Sequence, residues 1–119
     1  MNKARRKRIT SVIHTLENII DYDLIESVKD EIEDILWEEE DAYDNMPENL
    51  QYSMRGEESS DAIDSLQEAV DNLEEALDSL NEIDNLDKND DDYENRIEME
   101  EDEIDSCVNN AISILQDII

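Results

Sequence analysis

The amino-acid sequence predicts an all-α fold: a single domain over residues 1–119, arranged as an antiparallel three-helix bundle with coiled-coil-like packing and a long N-terminal helix. Three observations lead there. The chain holds one Gly, one Pro and no Phe, too few turn-formers for the many reversals of an all-β or α/β fold. Its aliphatic residues recur at steps of three and four, the period of one helix face. The stretches that break this period, 44–59 and 85–92, divide the chain into three.

The first helix is expected over about residues 3–43. Its apolar stripe is Ile9, Val12, Ile13, Leu16, Ile19, Ile20, Leu24, Val28, Ile32, Ile35 and Leu36. The second, over about 60–86, follows the heptad seam Ile63, Leu66, Val70, Leu73, Leu77, Leu80 and Ile83. Ala62, Ala69 and Ala76 flank that seam, and such small side chains let a neighbouring helix come close. Ser60 or Asp61 is a suitable N-cap. The third helix, over about 92–119, carries Ile97, Ile104, Val108, Ala111, Leu115 and Ile118, broadened by Cys107, Ile112 and Ile114. The first linker contains both Pro47 and Gly56, and Pro47 can open a short extra helical turn. The second linker, NLDKNDDD, is rich in the Asn and Asp that favour turns. No single helix buries its stripe alone, but antiparallel neighbours do.

Charge is the dominant feature. The chain carries 37 acids and nine Lys or Arg, a net charge of −28. Five of those cations, Lys3, Arg5, Arg6, Lys7 and Arg8, fall in the first eight residues. Residues 9–119 thus set all 37 acids against Lys29, Arg55, Lys88 and Arg96, a net −33. Solubility of a small domain needs a magnitude of only ~2–8, and the excess is self-repulsive. The apolar content of 38%, regularly spaced, argues against disorder. Cys107 is the single cysteine, so no internal disulfide forms, and a reducing compartment such as the bacterial cytoplasm fits. The N-terminal run is broken by His14, Glu17 and Asn18 and has neither a signal peptide's apolar region nor a membrane span's length.

The acids are patterned. On the second helix Asp61, Asp64, Glu68, Asp71, Glu75, Asp78 and Glu82 form a stripe opposite the apolar seam, with no cation between Arg55 and Lys88. An exposed helix ordinarily gains ~0.2–0.5 kcal/mol from each Glu–Lys pair at i,i+4, and like charges lose as much. Glu26, Asp30, Asp34 and Glu38 repeat the stripe on the first helix, and Asp90, Glu94, Glu98 and Asp102 on the third. Density peaks at Glu38, Glu39, Glu40, Asp41 and Asp44, and again among Asp90, Asp91, Asp92, Glu94, Glu98, Glu101 and Asp102. If three helices overlapped fully, the net charge would fall every ~1.7 Å along the bundle, the spacing in duplex DNA at ~1.7 Å. The alternative is that these acids are ordinary solvated faces, or an adaptation to high salt.

Other motifs weigh less. Asp87, Asn89 and Asp91 followed by Glu98 partly match an EF-hand loop, but Asp92 stands where the sharp turn needs Gly, and no second loop pairs with it. Neither a metal site nor a cofactor is therefore expected. His14 lies beside the apolar stripe, and Cys107 is expected in the core. No nucleophile–base pair, Cys/His cluster or phosphate-binding Gly loop stands out, and the expectation is not an enzyme. Trp37, Tyr43 and Tyr52 adjoin the acidic cluster and the linker, where they either anchor an interface or cap the core. The basic start has three readings: contact with nucleic acid, folding back onto the acidic faces, or pairing with a second copy as a homodimer.

The segments NKARRKRI and AYDNMPENLQYSMRGEESSDAI, with the leucine-spaced run after them, resemble a family of small acidic helical proteins of Firmicutes phages and prophages. The likeness covers roughly residues 2–83, and residues 84–119 depart from that family's simpler two-helix pattern. In charge and size the chain is also similar to phage DNA-mimic inhibitors of the anti-restriction and anti-CRISPR type. The resemblance implies an inhibitor that binds a basic nucleic-acid-binding protein, such as a CRISPR effector or restriction nuclease, without itself binding nucleic acid or membrane. Partner-binding residues are then expected at Trp37, Glu38, Glu39, Glu40, Asp41, Tyr43 and Asp44, at Asp64, Asp71 and Asp78, and in the 90–102 cluster. The alternatives are an acidic coiled-coil interaction or scaffold protein and, third, a calcium-binding helix–loop–helix protein.

Overall fold

The computed structural model describes residues 1–19 and 21–119, which form helices joined by turns, with no strand among them. Ile20, placed on the N-terminal stripe above, lies outside the described residues. The helices are α1 (Lys3–Glu17), α2 (Leu24–Asp44), α3 (Glu48–Gln51), α4 (Met54–Asp84) and α5 (Tyr93–Ile118).

The expected helix over 3–43 is two helices, and this is the largest difference from the sequence reading. Asn18 ends α1: its backbone N–H and its side-chain amide both donate to the His14 carbonyl, at 3.2 and 2.9 Å. The Asp21 carboxylate then accepts the Asp23 backbone N–H at 3.0 Å, an Asx turn that competes with continued helix. α2 runs back along α1, so that Arg5 meets Glu39 and Arg8 meets Glu31 and Glu38. The apolar spacing passes through the break without interruption, which hides it. What changes is the buried face: Ile25 is fully buried, whereas the stripe residue Leu24 is 44% exposed.

Four long helices therefore pack, not three. α1 lies against α2, α2 against α4, α4 against α5, and α5 against α1, which places α1 diagonally across the ring from α4. Glu39 contacts Ser59 while Lys29 contacts Glu74, so α2 and α4 are antiparallel. The short 85–92 turn makes α4 and α5 an antiparallel hairpin. The core joins Ile9, Ile13 and Leu16 of α1 to Ile25, Ile32 and Ile35 of α2, Leu66, Val70 and Leu73 of α4, and Ile104, Val108 and Leu115 of α5. Ala62, Ala69 and Ala76 are buried too, as close packing of small side chains requires.

α4 starts at Met54, earlier than the expected Ser60 or Asp61. Its N-cap is Ser53, whose hydroxyl accepts the Gly56 N–H at 3.5 Å. Pro47 opens the one-turn α3, and Gly56 lets this turn sit tightly on α4. A Cβ built there would lie 2.1 Å from the Gln51 carbonyl oxygen and 2.5 Å from that of Leu50.

The molecule measures 62 × 22 × 18 Å, because only part of its length is a four-helix body. The Tyr22 hydroxyl, in the α1–α2 turn, donates to Asp105 at 3.2 Å, which sets that turn level with the middle of α5. Beyond it α4 and α5 continue alone as a two-helix arm. Between Leu80 and Glu103 no residue is buried; Leu80, Ile83, Leu86, Tyr93 and Ile97 are half-buried along the arm.

Candidate functional site

The α4 stripe is realised in full. Asp61, Asp64, Glu68, Asp71, Glu75, Asp78 and Glu82 are all exposed, and none is ion-paired among the described residues. They face away from Leu66, Val70 and Leu73 because helical steps of three and four put the two sets on opposite sides. Glu68, Asp71, Glu74, Glu75 and Asp78 line a shallow groove on this face. Of the expected residues, Asp64, Asp71 and Asp78 therefore share one open surface.

The Glu38–Asp44 cluster divides. Glu39 is a correction: it is 1% exposed and belongs to the interior. Its carboxylate accepts the Ser59 hydroxyl at 2.7 Å and the Arg5 Nε–H at 2.8 Å, and the N-terminal ammonium of Met1 lies 3.4 Å away. Burial alone would raise its pKa, but the Ser59 hydrogen bond and the charges of Met1 and Arg5 outweigh that and hold the carboxyl below its ordinary value. Glu38 is exposed but engaged by Arg8, which also donates to Glu31 at 2.8 Å. These two hydrogen bonds hold Arg8 firmly protonated. Asp41 and Asp44 are exposed, Glu40 is half-buried, and none of the three is ion-paired among the described residues. Trp37 is 61% exposed on the outer side of α2. Tyr43 is half-buried, and its backbone carbonyl accepts the Gln51 side-chain amide at 2.9 Å, tying α2 to α3.

Of the third expected cluster, Asp91, Asp92, Glu94, Glu98, Glu101 and Asp102 are exposed on the arm, and Asp90 is half-buried. The 87–92 segment is a helix–helix turn with local uses for its carboxylates. Asp87 accepts the Asn89 N–H and Asp90 the Asp92 N–H, both at 2.9 Å, and Arg96 lies 3.6 Å from Asp90. Glu98 sits within α5. Among the described residues, the set of three or more metal-capable side chains drawn together is elsewhere: Glu75, Glu103 and Cys107, with ligand atoms within 4.8 Å of one another. Cys107 is buried as expected, its thiol 3.6 Å from Glu75 and 3.7 Å from Glu103. Burial, then those two carboxylates, pushes the thiol up to about 12, which removes it from nucleophilic chemistry near neutral pH.

The basic N-terminus splits by helix face. Arg5 and Arg8 fold back onto α2, while Lys3, Arg6 and Lys7 are exposed with no ion pair among the described residues. Asn2 caps the helix by accepting the Arg5 N–H at 2.8 Å. The sequence held a signal for the buried pair that the apolar stripe alone does not show. Glu39 continues the 32–35–36 buried spacing by one step, and Arg5 precedes Ile9 by one turn. An acid and a base at matching ends of two core seams are placed to meet.

No helix is long and apolar enough to cross a membrane among the described residues. In comparisons with known proteins, no family model, curated relative or solved structure matches this chain.

Proposed function

We propose that this protein acts by binding rather than catalysis. It would be a phage-type acidic DNA mimic that occupies the basic nucleic-acid-binding surface of a host defence nuclease, such as a CRISPR effector or restriction enzyme, or of a related DNA-binding protein. The observation that carries this reading is the α4 stripe: seven exposed carboxylates with no ion pair among the described residues. Folding gains nothing from such a row, since like charges at i,i+4 cost stability. The overall field supports it. A net charge of −28 along 62 Å is one charge per about 2.2 Å, beside ~1.7 Å for duplex DNA. The arm lengthens the body, so the density is lower than full overlap of three helices would give.

The test is competition. The protein should bind a basic nucleic-acid-handling protein and be displaced by DNA or RNA, with affinity falling steeply as salt rises. Reversing Asp64, Asp71 and Asp78 to Lys together should weaken binding if α4 faces the partner. The same change at Glu94, Glu98 and Asp102 tests the arm. Single reversals should do little. The reading fails if one partner holds this protein and its nucleic acid at once with no loss of affinity for either. The two-helix arm favours a second reading, an acidic coiled-coil scaffold that shields a basic partner without blocking its nucleic-acid site, and that outcome would select it.

A further inference from the structure

The outer face of α2 differs from that of α4 in one residue type. Asp30, Asp34, Trp37, Asp41 and Asp44 step by four, three, four and three along it, the same progression that α4 fills with carboxylates alone. The indole stands at the centre of this row. It is 61% exposed on a helix whose inner face, at Ile32, Ile35 and Leu36, is well buried. The four aspartates are exposed, and none has an ion pair among the described residues. An indole left in water adds little to the fold, and no folding requirement places the largest apolar side chain between two pairs of aspartates.

We propose that Trp37 is an arginine-stacking anchor. The outer face of α2 takes an arginine-bearing segment of a basic protein, one guanidinium lying on the indole face and paired at its edge with Asp34 or Asp41. The inference rests on the reading of this chain as a binder of basic proteins and names the contact that reading needs. The chemistry favours arginine over lysine. A guanidinium is planar, weakly hydrated, stacks on aromatic faces and presents a fork that matches a carboxylate. An ammonium gains from the charges but little from stacking. On its other flank α2 already holds two guanidinium groups, Arg5 on Glu39 and Arg8 between Glu31 and Glu38.

Trp37 is the only tryptophan in the chain, so its fluorescence reports this site alone. The full-length protein is titrated at physiological ionic strength with a capped oligoarginine peptide and an oligolysine peptide of equal length. The expected result is saturable quenching and tighter binding with oligoarginine. By calorimetry, Trp37→Ala should weaken oligoarginine by about three- to thirtyfold and oligolysine by less than about twofold, with Trp37→Phe recovering part of the loss. Asp34→Asn with Asp41→Asn should weaken both peptides. Helicity checks that each variant is folded. Equal affinity for the two peptides, or an unchanged arginine affinity in Trp37→Ala, overturns the proposal. So does a Trp37-dependent dimer in sedimentation that excludes the peptide, since the occupant is then a second copy. Competition with nucleic acid is measured separately, using a basic protein. If competition persists while the arginine preference is absent, only this inference falls; if the preference stands without competition, only the mimicry falls.

Discussion

The four-helix body and the two-helix arm are made from the same two helices, α4 and α5, yet they handle charge in opposite ways. In the body, α1 brings five cations and the N-terminal ammonium to the fold, and three of these six charges are spent on Glu31, Glu38 and Glu39 of α2. In the arm, residues 80–103 carry twelve acids and two cations, with Arg96–Asp90 as the one ion pair among the described residues there. The body also seals its apolar residues between four helices, whereas Leu80, Ile83 and Ile97 stay half-buried between two. Repulsion is therefore offset by burial and pairing in one region and endured in the other. Burial is concentrated in the body, while exposed acids run along both regions and are least offset in the arm.

The largest expected break in this contrast comes from core truncation. Leu66→Ala should cost about 3–4 kcal/mol in denaturant unfolding, the ordinary cost of a cavity at a fully buried leucine. Ile97→Ala in the arm should cost about 1 kcal/mol or less, because the site is already half open to water. Equal costs would mean that the arm is as well packed as the body.

Next in size is the buried carboxylate. Glu39→Gln should cost about 2–3 kcal/mol at neutral pH, since it leaves Arg5 and the N-terminal ammonium facing a neutral amide. The folded-state pKa of Glu39 lies below its ordinary 4.5. Its contribution is thus fully present above the unfolded value and is lost as pH falls through the folded one. The deficit of the variant should shrink as pH falls through the folded-state pKa of Glu39. A deficit that persists unchanged into acid would show that shape, not charge, matters at this position.

A smaller effect separates the regions by salt. Melting temperature should rise by a few degrees between low and moderate salt, because exposed like charges are screened with a Debye length of ~10 Å at 0.1 M. In hydrogen exchange the amides of 80–103 should gain more protection from salt than those of α2. A fall in melting temperature would mean that the Arg5 and Arg8 pairs outweigh the stripes. The smallest expected effect is that of calcium. Micromolar calcium should leave helicity and melting temperature unchanged against a control of equal ionic strength. A saturable, calcium-selective shift abolished by Glu98→Ala would give the 87–98 segment a role beyond a turn.

Periodicity carried much of this architecture. The all-helical class, the α4 seam, the 85–92 turn and the exposed acidic stripe of α4 follow from spacing alone, since each depends on which residues share a face. The reversal at 18–23 does not. Apolar spacing constrains the angle between residues, and Ile19 and Leu24 satisfy one continuous helix as well as two antiparallel ones. Asn18 and Asp21 are the residues that decide, and their weak local preferences are read correctly only once Arg5 and Arg8 are seen to need acids at 31–39. Glu39 was misplaced for a related reason. Composition assigns it to the densest acidic cluster, while its position one step beyond Leu36 assigns it to the core. Trp37 needed the fold as well, because its exposure depends on which side of α2 the other helices cover.

Lys3 and Lys7 are exposed on α1, which packs chiefly on α2 and α5, whereas the stripe lies along α4. The molecule is therefore electrically lopsided across its short axis as well as strongly negative overall. In the field of a positive surface, such a body experiences a torque before it makes any contact. It turns its acidic faces forward, and approaches that begin with α1 foremost are drawn in less strongly than the rest. Orientation, the step that ordinarily slows protein association most, is then partly completed during approach.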